Sequence, residues 1–197
     1  MGAPAAPLEK PDYGIDAPPV IRNLLVAAGV AVVVAVIAQL LGTPYPAGFP
    51  VRETAAIVAL TCCLNAGVMV YYSKVGKLRS RERILDLVPW RGDEAVLDVG
   101  CGRGLLLVAA ARRLTTGKAV GVDLWQAADL SGNRPEATLE NARREGVADR
   151  VEVRDGDARK LPFADGSFDT VVSNVALHNI PDAAGRETAV REIARVL

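Results

Sequence analysis

Asp98, Gly100, Gly102 and Gly104 stand within nine residues, "VLDVGCGRG" (96–104), and Asp123 closes a later apolar run, "GVDL". A glycine-rich turn after a strand lets a ligand approach the backbone, and a helix opening there aims N–H groups at it. A dinucleotide fingerprint would read G-x-G-x-x-G, but Leu105 stands where the third glycine belongs. A phosphate-binding loop would need G-K-[ST], which is absent. A pyrophosphate ligand is therefore disfavoured. A carboxylate at the end of the second strand, Asp123, suits the two hydroxyls of a ribose. Asp98 repels phosphate and suits a cation. The pattern favours an adenosine carrying positive charge. The alternatives are a tight turn without a ligand, Asp98 as a turn cap, and Asp123 as a solvated strand end.

Other reactive side chains are few. His178 is the only histidine, and it reads as a candidate general base. Cys62, Cys63 and Cys101 have no metal-ligand or disulfide spacing, and Cys101 between two glycines reads as a small filler. A reducing compartment is the simplest setting for Cys101. Lys plus Arg equals Asp plus Glu, 23 each, so no global field draws nucleic acid.

The elements that position these residues begin at Ser80, a candidate N-cap for "SRERILDLV", with Ile84, Leu85 and Val88 on one face. Then follow strand "AVLDVG", helix "RGLLLVAAARRL", strand "AVGVDL" and helix "PEATLENARREG". Strands "RVEVRDGD" and "FDTVVSNV" and the helix "PDAAGRETAVREIARVL" complete the series. Alternating strands and helices predict an α/β fold with a parallel sheet and crossover helices.

Ahead of this lies a different composition. Residues 24–41, "LLVAAGVAVVVAVIAQLL", and 55–72, "AAIVALTCCLNAGVMVYY", carry no charge. Each is long enough to cross a hydrocarbon core of roughly 30 Å. The segment between them holds Pro44, Pro46 and Pro50. The pattern predicts a two-helix transmembrane hairpin over 20–73; two buried helices of a soluble core are the alternative. A cleaved signal fits less well, because Glu9, Asp12 and Asp16 precede the first run and a second run follows. Lys74, Lys77, Arg79, Arg81 and Arg83 directly follow the second run, which places both ends in the cytoplasm and makes the chain a multi-pass membrane protein. Tyr71 and Tyr72 suit the interface. Ala27, Ala31, Ala35 and Ala55, Ala59, Cys63, Gly67 form ridges of small residues on which helices approach closely, a route to self-association. Asn65, polar within a span, reads either as a bond to another helix or as a tolerated solitary group. Residues 1–19, rich in Pro and Ala, read as a disordered tail.

Taken together, "VLDVGCGRG", "GVDL", "GDARKLPFADGSFDTVVSNVALHNI" and "REIARVL" resemble the class I S-adenosylmethionine-dependent methyltransferases, in particular the methyltransferase type 11 or ubiquinone/menaquinone-biosynthesis-like group. The resemblance covers residues 80–197 and implies a Rossmann-like sheet, of which strands one to four are present, with S-adenosyl-L-methionine as cofactor. By position it implies that Gly100, Cys101, Gly102 and Gly104 form the cofactor loop and that Asp98 lies near the methionine moiety. It implies that Asp123 binds the ribose, Leu124 packs by the adenine, and Asp157 and Ala158 hold the adenine edge. Asn174 begins the segment lining the methyl-donor site. Catalytic residues stay unassigned.

Two departures stand out. "WQAADLSGN" (125–133) intervenes between the ribose acid and the next helix, where the family passes directly to a Ser-Pro-Glu start. This loop is expected at the cofactor mouth, with Trp125 stacking or capping there, or else as a surface loop. The family's sheet also continues past "REIARVL" into further strands, so strand four is expected at an unpaired edge. The expected function is a membrane-anchored methyltransferase with a small lipophilic acceptor. The alternative is a non-catalytic membrane protein whose partial domain binds cofactor or a partner.

Overall fold

The structure, a computed structural model, describes residues 9–41 and 50–197, which form two compact units. One contains residues 77–197 together with the described residues 9–14; the other spans Ile15–Gly76.

The first unit is built on four parallel strands, β1 (Ala95–Val99), β2 (Lys118–Asp123), β3 (Val151–Asp155) and β4 (Thr170–Val172), in the order β3-β2-β1-β4. β1 is central: Leu97 pairs with Val120 of β2 on one side and Val171 of β4 on the other. Its run of Val96, Leu97 and Val99 is fully buried, as a strand covered on both faces requires. The reversal of strand order falls between β1 and β4, where open α/β sheets leave a crevice beyond the strand ends. The expected α/β class and parallel sheet are both present. Among the described residues no strand lies beyond β4.

The helices follow local chemistry. α4 (Leu105–Ala111) is apolar along its whole length and packs into the core with Leu106, Leu107 and Val108. α5 (Pro135–Arg144) opens on a proline in its first turn and ends before Gly146, whose φ is +72°. α6 (Ala183–Val196) is capped by Asp182, which accepts a bond from the Gly185 N–H at 2.6 Å. Ser80 does not cap anything. It lies inside α3 (Lys77–Leu85), because the helical pattern already runs upstream of it.

Part of the expected disordered tail is a docked strap. Residues 1–8 lie outside the described residues, but 9–14 lie against α3 and α5. Tyr13 is buried, and its hydroxyl donates to Glu145 Oε1 at 3.0 Å. The Arg81 guanidinium stands over its ring, 5.4 Å from the centroid. Asn141 of α5 accepts from the Asp12 N–H and donates to the Asp12 carbonyl, both at 2.9 Å. Lys77 donates to the carbonyls of Tyr13 and Gly14. Composition misled because one aromatic and a few backbone bonds order this piece. Two of the five basic residues read as flanking charges, Lys77 and Arg81, are thus buried structural groups.

The second unit is a pair of packed helices, α1 (Pro18–Leu40) and α2 (Val51–Tyr71), followed by a π-helical turn at Tyr72–Gly76. Both helices are long and apolar enough to cross a membrane. The proline-rich residues 42–49 lie outside the described residues. The outward faces of α1 and α2 carry Val, Leu and Ile: Leu25, Val32, Ile57 and Leu60 are all more than half exposed. The covered seam is made largely of small residues and includes Ala31, Ala35, Ala55 and Ala59 of the expected ridges. It runs Ile21, Leu24, Ala28, Ala31, Ala35, Ala38 on α1 and Ala55, Ala59, Cys62, Ala66, Met69, Ser73 on the second helix and its π-helical turn. Ala27, Cys63 and Gly67 face outward. Steps of four drift around a 3.6-residue helix, whereas alternating steps of three and four stay on one face. Asn65 bonds back to the Thr61 carbonyl of its own helix, at 2.8 Å, rather than to a neighbour.

Candidate functional site

The loop after β1 is set by its glycines. Gly100 has φ +75°, and a Cβ there would stand 2.1 Å from the Cβ of Ala176, in the segment after β4. Only glycine lets these two chains meet across the β1–β4 crevice. Gly104, φ +83°, turns the chain into α4 against Thr138 of α5. Thr138 in turn donates to the Gly102 carbonyl at 2.6 Å.

The loop's N–H groups are already committed. Gly100 and Cys101 donate to the Val122 carbonyl, Gly104 to the Cys101 carbonyl, and Gly102 to Asp123 Oδ2 at 2.8 Å. The anion cradle that a glycine turn suggests is therefore absent from these four donors. Two carboxylates border this loop, the buried Asp98 and the partly exposed Asp123. A pyrophosphate is poorly matched to it; hydroxyl donors and cations are well matched.

Asp98 is in β1, not in the turn, and only 2% exposed. Its Oδ2 accepts the Leu107 N–H at 2.9 Å, capping the first turn of α4. Burial, with the nearby Asp123 charge adding to it, raises its pKa from 3.8 to about 7. Cys101 packs against Gly121 as a buried filler, and burial pushes its thiol pKa up.

Asp123 ends β2 and is held by the 125–133 insertion. Its Oδ1 accepts from the Trp125 N–H at 2.6 Å and from Asn133 Nδ2 at 3.2 Å. Trp125 sits at φ +59°, a strained position for a large residue, and its indole N–H donates to Asp155 Oδ1 at 2.6 Å. The indole is thus tied to the end of β3. Leu124 beside it is 55% exposed. The insertion also folds back on the loop: Leu130 abuts Gly102, and Arg103 donates to the Ser131 carbonyl.

The remaining candidates are placed as follows. Asp157 forms a two-pronged ion pair with Arg159, which holds its pKa below the ordinary value. Ala158 is partly buried against the core on that side of the sheet. Asn174 is half-buried after β4, just before Val175, a β-branched residue at φ +55°. Such strain gathers at ligand-binding segments. His178 is exposed. Among the described residues no cluster of three metal-ligating side chains occurs.

Sequence reasoning missed Thr138, Asn141, Arg103 and Asp12. Asn141 also donates to the Arg103 carbonyl at 2.9 Å, so α5, the glycine loop and the strap share one polar network. Arg103 completes it with an ion pair to Asp12 at 3.1 Å. The available signal was Thr138 and Asn141 on the same face of α5 as Ala137 and Ala142, two polar groups where a core face was due.

Comparison with known proteins agrees with this geometry. A family model described as a methyltransferase domain matches residues 97–197. The chain is 36% identical over 119 residues to methyltransferase GfsG of Streptomyces halstedii, covering 60% of this chain and 39% of that protein. It is 38% identical over 103 residues to the demethylmenaquinone methyltransferase of Lactiplantibacillus plantarum, covering 52% and 40%. Among solved structures, the YcgJ protein of Bacillus subtilis superposes with a TM-score of 0.51 at 31% identity, covering 60% of this chain and 46% of that one. The [4+2]-cyclase SpnF gives 0.51 at 28%, covering 61% and 41%. The chain therefore spans less than half the length of these relatives. The matched residues run from the middle of β1 through α6, and with them this chain belongs to the methyltransferase domain family, for which S-adenosylmethionine is the implied methyl donor.

Proposed function

We propose that this chain transfers a methyl group from S-adenosylmethionine to a small, lipophilic acceptor, from a domain anchored to a membrane by the α1–α2 hairpin. The observation that carries the reading is the pair of carboxylates beside the glycine loop, Asp98 in β1 and Asp123 at the end of β2, near enough that the charge of one acts on the other. They suit a ligand that brings a ribose, a sulfonium and an ammonium. The bound cofactor supplies an electrophilic methyl for direct displacement. In this reading Asp98 faces the methionine end of the cofactor and Asp123 takes the ribose. Leu124 and Ala158 offer apolar contact to the adenine, with Asp157 at its edge. Gly100, Cys101, Gly102 and Gly104 let the cofactor lie close to the backbone. Asn174 and the strained segment after it border the methyl-donor side. The chain's contribution is positioning and desolvation, and no side chain need act as a base.

Two kinds of support bear on acceptor and location. Two relatives are named for methylation of demethylmenaquinone and of 27-O-demethylrifamycin SV. The hairpin's apolar outer faces need a cover, and a bilayer provides one. The test uses membranes from cells expressing the chain. Resistance to carbonate extraction, with methyl transfer from labelled cofactor into an organic-soluble quinone or polyketide acceptor, is expected. Extraction as a soluble protein would remove the anchor. Cofactor binding without transfer to any lipophilic acceptor would favour the non-catalytic reading.

A further inference from the structure

We infer that Asn133, in the 125–133 insertion, is a second acceptor for the adenosine ribose, acting beside Asp123. The inference rests on the proposed reading that Asp123 binds that ribose. A carboxylate offers about four acceptor positions. Three on Asp123 are filled from within the chain, by the N–H groups of Gly102 and Trp125 and by Asn133 Nδ2. One remains, yet a ribose brings two vicinal hydroxyl donors.

The missing acceptor is on the neighbouring side chain. Asn133 Oδ1 is buried and has no hydrogen-bond partner. The orientation of this amide is fixed chemically, because its nitrogen must face the carboxylate, which only accepts. A buried carbonyl without a donor is costly, and such groups in a native site call for an explanation. A hydroxyl donated by the ribose would satisfy it. One hydroxyl then goes to Asp123 Oδ2 and the other to Asn133 Oδ1. The insertion becomes part of the cofactor site, and Trp125, tied to Asp155, is the strut that holds its start.

The test is calorimetric titration of the full detergent-purified chain with S-adenosylhomocysteine and with its 2′-deoxy and 3′-deoxy analogues. Asn133→Leu keeps the volume and removes both polar atoms; Asn133→Ala is the second variant. Wild type is expected to lose affinity for each deoxy analogue. Asn133→Leu is expected to bind S-adenosylhomocysteine about tenfold more weakly, the worth of one good hydrogen bond. It should bind one of the two deoxy analogues as wild type does. Unchanged binding of S-adenosylhomocysteine by both variants would overturn the inference. So would an equal loss for all three ligands, which marks a merely structural role. If wild type binds none of them, the ribose reading of Asp123 fails first, and the role of Asn133 fails with it.

Discussion

Asp98 is the most consequential single residue because two demands meet on it. It caps α4 from a strand, which needs an acceptor, and it is buried, which opposes the ionised form. Its pKa of about 7 lies above the ordinary 3.8. The sign follows: ionisation costs stability, so the contribution is fully present at acid pH and is lost as pH rises through about 7. A ligand that brings a cation beside Asp98 favours the ionised form and releases a proton on binding below that pH. Affinity for S-adenosylmethionine should therefore rise from pH 6 to pH 8, by at most about tenfold per unit. Asp98→Asn should flatten the profile. A profile equally steep in that variant would place the titrating group elsewhere. Asp123 illustrates the same principle of committed groups. Its strand-end position was legible from "GVDL", but its filled acceptor positions were not, because two of its donors come from an insertion without a family precedent in the sequence pattern.

At the scale of elements, the strap and the seam show where local patterns mislead. Strand and helix order was readable because apolar runs and Gly or Pro punctuation act within a few residues. The strap was not, since its order comes from Lys77, Arg81 and Asn141, some sixty to one hundred and thirty positions away. Tyr13 is its anchor. Tyr13→Ala removes a buried aromatic ring and should destabilise the domain by about 3 kcal/mol, read as a lower unfolding midpoint in denaturant. It should also weaken cofactor binding, because the strap, Asn141 and Arg103 share one network with the cofactor loop. An unfolding midpoint equal to wild type would show that the strap adds no stability. In the hairpin, the small residues were visible in the sequence, but which of them face the partner helix depends on the alternating three-and-four step. A step of four alone puts Ala27, Cys63 and Gly67 in the seam, whereas the structure turns them outward.

For the whole molecule, the fold class and the cofactor both follow from the β1–α4 loop and the β2 end, and the family match covers the residues that build them. The acceptor does not follow from these elements. The chain spans 39% of one relative and 40% of another, and neither relative's name speaks for residues outside the match. The account therefore stands or falls on whether these four strands and their loops make a working cofactor site. The direct measurement is calorimetric titration of S-adenosylmethionine into the detergent-purified full chain, with Asp123→Ala alongside. Saturable binding by wild type, weakened at least tenfold or lost in a folded Asp123→Ala variant, is predicted from the loss of the ribose's charged acceptor. No heat of binding in a folded wild-type sample, or equal affinity in the variant, would contradict the account.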